Sequence, residues 1–132
     1  EKKNFIPPNA LLAPLPLHPR KFRERGYNQS ALLAAVIHQE LALPILPKNA
    51  LLRVKNTSPQ AKCRGGREGR VKNMENAFAI HPEYSAIIYD KTILLVDDIF
   101  TTGATVNECA RILRDAGATE VHAFVLARAI PA

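Results

Sequence analysis

The sequence predicts an α/β fold in three layers, a parallel β-sheet with helices on both faces, and three observations carry this prediction. Residues Thr92–Val96 are apolar on both alternating faces, as in a strand buried inside a parallel sheet. Ala104–Ala116 has apolar residues at helical spacing, and Gly117 follows as a typical helix C-cap. Val121–Ala127 is a second apolar run. A strand, a helix and a strand in this order form a right-handed βαβ unit.

The first part of the chain predicts further elements ahead of this unit. Leu11–Leu17 is a short apolar run that predicts a buried strand, although its two prolines are awkward for a central ladder. His18–Gly26 is basic and predicts a turn. Tyr27–Leu43 has helical spacing and polar residues at its start that can cap a helix. Leu51–Val54 and Phe78–Ile80 predict two short strands.

Length, composition and charge limit the classes of protein to which this chain can belong. With 132 residues and 47% hydrophobic residues, the chain is expected to form one domain over residues 1–132, which excludes a disordered tail. Eighteen Lys and Arg against twelve Asp and Glu give a charge of +6, which favours anionic partners. The two cysteines form no CxxC pair, so we expect no zinc site and a cytoplasmic location. No apolar run reaches about 18 residues, so membrane insertion is not expected.

Residues 55–77 show no clear periodicity and predict a long flexible loop. The stretch from residue 53 to residue 72 holds seven Lys and Arg against one acid. Two interpretations stay open: a lid whose cations complete a phosphate site, or a strip that contacts nucleic acid. Aromatic residues that could stack on bases are missing from this stretch, which favours the lid. The candidate lid residues are Arg64, Arg67 and Arg70.

The polar run after the strand Thr92–Val96 predicts a binding site, because open parallel sheets bind ligands at the carboxyl ends of their strands. The start of the next helix offers backbone N–H groups and threonine hydroxyls to one phosphate. The candidate phosphate-binding residues are Thr101, Thr102, Gly103, Ala104 and Thr105. Asp97 and Asp98 accept hydrogen bonds only, so they suit sugar hydroxyls or a hydrated Mg²⁺. A 5-phosphorylated ribose carrying pyrophosphate meets all of these requirements. The competing structural interpretation is a plain turn and helix cap.

Two stretches of sequence resemble known families. Ile93–Thr105 resembles the phosphoribosyl pyrophosphate (PRPP) motif of type I phosphoribosyltransferases, which have a Rossmann-like fold. Pro14–Pro19 and Arg23–Gln29 resemble the hallmark of the ComF and GntX-type family, whose members are described as amidophosphoribosyltransferase-like competence proteins. Thr57–Gln60 and the segment Arg67–Phe78 resemble the middle of that family. Members often carry an N-terminal four-cysteine zinc module, and nothing in this chain matches it.

The resemblance implies roles for individual residues. Asp97 and Asp98 would act at the catalytic centre, bind the ribose hydroxyls and hold Mg²⁺ directly or through water. Residues 101–105 would hold the 5-phosphate. The loop after the first strand would bind pyrophosphate, and the residues at that position are His18, Pro19, Arg20 and Lys21. His18 is open to two interpretations, a general base or a hydrogen-bonded turn residue. The basic side chains near it either contact phosphate or form a solvated face.

Two classes of function follow from these residues and resemblances. The first is a Mg²⁺-dependent phosphoribosyltransferase that transfers the pentosyl group of PRPP to a nitrogen nucleophile, with a role in DNA uptake during natural competence. The second is a non-catalytic module that binds single-stranded DNA or a competence helicase and retains a vestigial PRPP pocket. The oligomeric state stays open, with a homodimer as one possibility because many enzymes of the resembled fold are dimers. Cys109 lies on the apolar face of the predicted helix and is expected in the core. The other histidines, His38, His81 and His122, are expected to be structural or exposed.

Overall fold

The computed structural model of the protein describes residues 7–55, 76–100 and 103–128. Its elements, in chain order, are β1 (Leu11–Pro14), α1 (Pro19–Arg25), α2 (Gln29–Leu41), β2 (Leu51–Arg53), β3 (Phe78–Ile80), a 3₁₀ turn (Pro82–Tyr84), α3 (Ser85–Ile88), β4 (Thr92–Phe100), α4 (Ala104–Asp115) and β5 (Glu120–Arg128). Among these elements there is no helix with the length and hydrophobicity needed to cross a bilayer.

A parallel sheet of three strands forms the centre of the fold, in the order β1-β4-β5. Leu11 of β1 lies opposite Ile93 of β4, and the pairing continues to Pro14 and Val96. The strand β5 runs parallel on the other side of β4. The residues of β4 from 93 to 96 are buried on both faces, which explains their uninterrupted apolar sequence. The predicted α/β class and its βαβ unit, now β4-α4-β5, are confirmed.

Each face of the sheet is covered by its own hydrophobic cluster. On one face Leu11, Ala13, Ile93 and Leu95 pack with residues of α4 and of the β2–β3 pair. On the other face the alternate residues Leu12, Leu94 and Val96 pack with Ala34 and Ile37 of α2. Successive strand residues point to opposite faces, so one buried strand feeds both clusters. The predicted three layers are therefore present.

Three local features differ from the sequence-based expectations. The predicted strands β2 and β3 pair with each other in an antiparallel ladder and do not join the parallel sheet. The basic segment after β1, predicted as a turn, contains the helix α1. The polar run beginning at Asp97, also predicted as a turn, is part of β4, because its pairing with β5 continues to Phe100.

The two ends of the basic segment 56–75 meet at one point of the fold. Both Val54 N–H and Lys55 N–H donate to the carbonyl oxygen of Ala77, at N···O distances of 2.7 and 3.3 Å. On the returning side, Asn76 N–H donates to Oε2 of Glu108 on α4 at 3.2 Å. The chain therefore leaves β2 and re-enters β3 beside the helix that follows β4.

Candidate functional site

The carboxyl end of β1 lies beside Val96, in the middle of β4, and the residues that follow this point define the candidate site. Leu15 N–H, just after β1, donates to the Val96 carbonyl at 3.0 Å, so the loop that leads to α1 starts beside β4. Asp97 and Asp98 directly follow Val96 and are both half-buried. We call this region the strand-end site. It has the location at which open α/β sheets bind their ligands.

The start of α2 is fastened to the strand-end site by two polar side chains. Asn28 Oδ1 accepts from Ser30 N–H and Ala31 N–H at 2.9 and 3.3 Å and so caps the helix. Its Nδ2 donates to the Leu15 carbonyl at 3.1 Å. Ser30 is buried, and its hydroxyl donates to Oδ1 of Asp97 at 3.5 Å, across 67 residues of sequence. Sequence reasoning found both residues only as capping candidates, since the contact with Asp97 has no local signal.

Asp97 and Asp98 belong to opposite faces of β4. Asp97 continues the face of Ile93 and Leu95, which α4 covers, and Asp98 continues the face of Leu94, which α2 covers. The bond from Ser30 shows that Asp97 nevertheless lies where the two layers meet at the end of the sheet. The pair thus offers carboxylate oxygens from both sides of one strand.

A cation that sequence reasoning counted only as part of a basic stretch lies on the Asp97 face. The Arg53 guanidinium carbon lies 5.2 Å from the ring centroid of Phe78, a cation–π distance. Partial burial lowers the pKa of Arg53, while the negative charge of Asp97 acts in the opposite direction. An arginine keeps its proton under such conditions. Arg53 therefore brings a fixed positive charge to the same face as Asp97.

The residue before α4 has a backbone conformation that favours glycine. Gly103 has φ +84°, and its carbonyl accepts from Asn107 N–H at 2.8 Å as the helix begins. A side chain at this φ would be strained, so glycine suits the position. Ala104 and Thr105 form the first turn of α4, with Thr105 half-buried. The other two candidate phosphate residues, Thr101 and Thr102, lie outside the described residues.

The residue His18 lies at the start of α1. His18 Nδ1 accepts from Arg20 N–H at 3.1 Å and caps α1, with Pro19 in the first helical turn. This contact is the one expected of a hydrogen-bonded turn residue, and a role of His18 as a base or in pyrophosphate binding stays a prediction. Arg20 is exposed, and Lys21 belongs to the same helix. The candidate lid residues Arg64, Arg67 and Arg70 lie outside the described part of the chain.

The remaining cysteine and histidines have structural environments. Cys109 is fully buried on α4, and burial raises the pKa of its thiol strongly. His38, His81 and His122 each hydrogen-bond to a group within five residues. Across residues 7–55, 76–100 and 103–128 there is no cluster of three or more His, Cys, Asp or Glu that could hold a metal ion. A metal at Asp97 and Asp98 would need further oxygen ligands from water or substrate.

Comparison with known proteins assigns the class to which this fold and site belong. The family model described as "Phosphoribosyl transferase domain" matches residues 29–130, which include α2, the whole β4-α4-β5 unit and both aspartates. The chain therefore belongs to the phosphoribosyl transferase domain family. The type I phosphoribosyltransferase fold implied by the resemblance of residues 93–105 is confirmed.

Individual relatives show which members of this family the chain resembles. The chain is 38% identical to Competence protein F of Haemophilus influenzae over 122 residues, 92% of this chain and 51% of the relative. It is 36% identical to Competence protein ComFC of Streptococcus pneumoniae, over 86% of this chain and 46% of the relative. It is 31% identical to DNA utilization protein YhgH of Escherichia coli K12, over 88% and 48%. The ComF-type resemblance is confirmed, and the chain spans about half the length of these relatives.

Proposed function

We propose that the strand-end site binds PRPP together with Mg²⁺, and that the protein takes part in DNA uptake as a ComF-type phosphoribosyltransferase-like protein. One observation carries the ligand proposal: Asp97 and Asp98 follow the buried centre of β4, beside the start of the β1–α1 loop, on the strand that leads to Gly103 and α4. This arrangement supports one ligand that presents a diol, a metal-bridging oxygen group and a phosphate.

The donor set at this site suits Mg²⁺. Magnesium prefers oxygen ligands, keeps several waters and is usually held by one or two carboxylates plus substrate phosphates. Asp97 and Asp98 supply two half-buried carboxylates that remain within reach of solvent. When bound, Mg²⁺ would neutralise charge on the pyrophosphate of PRPP. The same carboxylates would accept hydrogen bonds from the ribose hydroxyls.

The phosphate and pyrophosphate ends of PRPP would fall on the two loops of the site. The first turn of α4, from Gly103 to Thr105, would receive the 5-phosphate, since the N-terminus of a twelve-residue helix favours an anion. Arg20 in the β1–α1 region is an exposed cation suited to pyrophosphate. In transfer, a bond forms between a nitrogen nucleophile and C1 of the ribose, and the C1–O bond breaks. Pyrophosphate leaves with the electron pair, and cationic side chains stabilise its charge.

The cellular part of the proposal rests on the relatives. Two of them are named competence proteins and others are named DNA utilization proteins, and the alignments cover most of this chain. The net charge of +6 is compatible with a protein that handles anionic polymers or nucleotides.

Thermal unfolding with and without PRPP, each with and without Mg²⁺, tests the ligand proposal. A ligand that binds only the folded state stabilises it by about 2.7 kcal/mol at a hundredfold excess over Kd. We expect this stabilisation to need Mg²⁺ and to be lost in the double variant Asp97→Asn with Asp98→Asn. Glu40→Gln, an exposed change on α2, is the matched control and should keep the response.

The outcomes separate the two classes of function. A Mg²⁺-dependent response that disappears in the double aspartate variant supports the PRPP site and justifies a search for pyrophosphate release with bases and amines. A folded protein without any response to PRPP would refute the ligand proposal. An equal response in the double variant would show that the aspartates do not form the site.

A second candidate, binding of single-stranded DNA, is favoured by the exposed surface of α1 and of the turn that joins it to α2. Phe22 and Tyr27 are 42% and 46% exposed, and Arg20, Arg23 and Arg25 around them are exposed as well. Aromatic rings between cations are the pattern that binds single strands, through base stacking and phosphate neutralisation. The basic stretch 53–72 lacks aromatic residues, whereas this segment has them.

Fluorescence anisotropy of a labelled single-stranded oligonucleotide at several salt concentrations tests this candidate. Phe22→Ala with Tyr27→Ala should weaken binding by about 1–3 kcal/mol for each base that loses its stacking partner. Tyr89→Ala is the control, because Tyr89 is 66% exposed and precedes β4 at the other end of the sheet. Binding that is absent, or that does not weaken as salt rises, would refute the candidate.

A further inference from the structure

Arg53 is a charged residue on the apolar side of a strand. In β2, Leu51 and Arg53 share one face, because alternate residues of a strand point to the same side. Leu51 belongs to the hydrophobic cluster that covers the α4 side of the sheet. Arg53 therefore points toward the same layer, where it is half-buried. The removal of a guanidinium from water costs free energy, and an opposite charge or an aromatic ring compensates this cost.

The guanidinium of Arg53 is held in place by its neighbours. Arg53 lies opposite the buried Phe78 in the β2–β3 ladder, and its guanidinium carbon is 5.2 Å from the centroid of that ring. The next two peptide groups, those of Val54 and Lys55, both donate to the Ala77 carbonyl. The backbone beside Arg53 is thus fixed, and its side chain stacks on a fixed ring.

Asp97 supplies the opposite charge. It continues the face of β4 that carries Leu95, which lies in the same cluster as Phe78 and the fully buried Cys109. Burial lowers the pKa of Arg53, and the negative charge of Asp97 opposes this effect. Burial raises the pKa of the Cys109 thiol, on which the charges of Arg53 and Asp97 act as well. The cation and the carboxylate therefore lie at the polar end of one cluster.

The carboxylate of Asp97 is also held from the other layer of the fold. The hydroxyl of the buried Ser30 donates to Oδ1 of Asp97 at 3.5 Å. Asp98 belongs to the opposite face of β4, which α2 covers. Asp97 is therefore the acid whose charge Arg53 compensates, and with Arg53 the two acids of the strand-end site carry a net charge of −1 instead of −2.

We propose that Arg53 is a positioning residue of the strand-end site, which orients Asp97 and compensates its charge so that the site takes up Mg²⁺ together with the phosphates of PRPP in preference to the free ion. This inference rests on the proposed function. Two carboxylates without a nearby cation attract a divalent ion strongly and repel an anionic ligand. The charge of Arg53 weakens both effects. Mg²⁺ held by one or two carboxylates and substrate phosphates fits such a site.

Calorimetric titrations with Mg²⁺ alone, and with PRPP at saturating Mg²⁺, test this role. Arg53→Met removes the charge and keeps an unbranched side chain beside Phe78. We expect the Kd for free Mg²⁺ to fall by about tenfold and the Kd for PRPP to rise by about tenfold. Shifts in opposite directions distinguish charge compensation from damage to the fold, because damage would weaken the binding of both ligands.

Three further variants complete the experiment. Arg53→Lys keeps the charge and should leave the Kd for free Mg²⁺ near the wild-type value. Arg114→Met makes the same chemical change at an exposed position of α4, so both affinities should stay unchanged. Arg53→Gln is a second neutral variant with the same expected shifts, and it replaces Arg53→Met if circular dichroism shows that Arg53→Met does not fold.

The outcomes separate this inference from the proposed function. A wild-type protein that does not bind PRPP would refute the PRPP proposal, and the titrations with Mg²⁺ alone would still decide the role of Arg53. An unchanged Kd for free Mg²⁺ in the folded neutral variants would overturn that role. So would a loss of both affinities together, or Mg²⁺ binding by Arg53→Lys that matches the binding by Arg53→Met.

Discussion

Replacement of Gly117 by alanine probes how α4 is joined to β5. Gly117 follows the end of α4 and has φ +104°. Its N–H donates to the Arg114 carbonyl at 2.9 Å, and its own carbonyl accepts from Asp90 N–H at 2.8 Å, so the peptide cannot rotate freely. A Cβ at this position would lie 2.5 Å from Cδ1 and 3.2 Å from Cε1 of Tyr89. Alanine therefore meets both a strained backbone and a steric clash.

The two effects have different magnitudes. A positive φ costs a residue with a Cβ about 1–2 kcal/mol, and alanine regains about 0.4–1 kcal/mol because it restricts the unfolded chain. Tyr89 is 66% exposed, so its ring can move aside into a poorer rotamer at a cost of about 0.5–1.5 kcal/mol. We expect Gly117→Ala to lower the free energy of unfolding by roughly 0.5–3 kcal/mol.

Urea denaturation of a double-mutant cycle separates the two effects. In a Tyr89→Ala background the clash is gone, so the cost of Gly117→Ala should fall by about 0.5–1.5 kcal/mol and the backbone part should remain. A single variant that costs less than about 0.5 kcal/mol would refute the whole argument. A cost that vanishes in the Tyr89→Ala background would refute the backbone part, and an unchanged cost would refute the clash.

Three further perturbations have definite expected results. Leu113 is fully buried, so Leu113→Ala should lower the free energy of unfolding by about 2–5 kcal/mol in urea denaturation, and a cost under about 1 kcal/mol would contradict the described packing. Asn28→Ala removes the cap of α2 and the bond to the Leu15 carbonyl, for an expected thermal destabilisation of about 1–2 kcal/mol; Asn28→Asp keeps the cap and should lose less. The hydrogen bond from Arg111 holds the pKa of Glu108 below its ordinary value, so its stabilisation is present above the ordinary carboxyl pKa and is lost as pH falls through the folded pKa. Glu108→Gln should therefore flatten the acid side of the stability–pH curve, and an unchanged curve would contradict this.

The βαβ unit could be predicted because its information is local. A few neighbouring residues are enough to recognise each of its signals: the apolar run in β4, the apolar face of α4 and Gly117. The helix α1 was missed because its basic sequence has no apolar periodicity. Its ends specify it instead: His18 and Pro19 begin it, and Gly26 ends it with φ +82° and an N–H that donates to the Phe22 carbonyl at 2.7 Å.

Some features of the candidate site could also be predicted from local sequence, and others could not. The location of Asp97 and Asp98 just beyond the carboxyl end of β1 could be predicted, because acids after a buried apolar run fall near the ligand-binding end of a parallel sheet, although both residues lie inside β4. The hydrogen bond from Ser30 and the nearby charge of Arg53 could not, because both are contacts between residues far apart in sequence. The continuation of β4 beyond Asp97 depends on pairing with β5, which outweighs the poor strand propensity of aspartate.

The residues on either side of segment 56–75 are held together by hydrogen bonds to the Ala77 carbonyl. The stability of the fold should therefore depend only weakly on the number of residues in that segment. Each doubling of a loop adds only about 0.6 kcal/mol to the free energy of its closure, so longer insertions are tolerable there. The same junction divides the chain into two pieces that share two ladders, β1 with β4 and β2 with β3. Two polypeptides that together contain the whole sequence, divided between residues 56 and 75, are thus expected to reassemble without a covalent link.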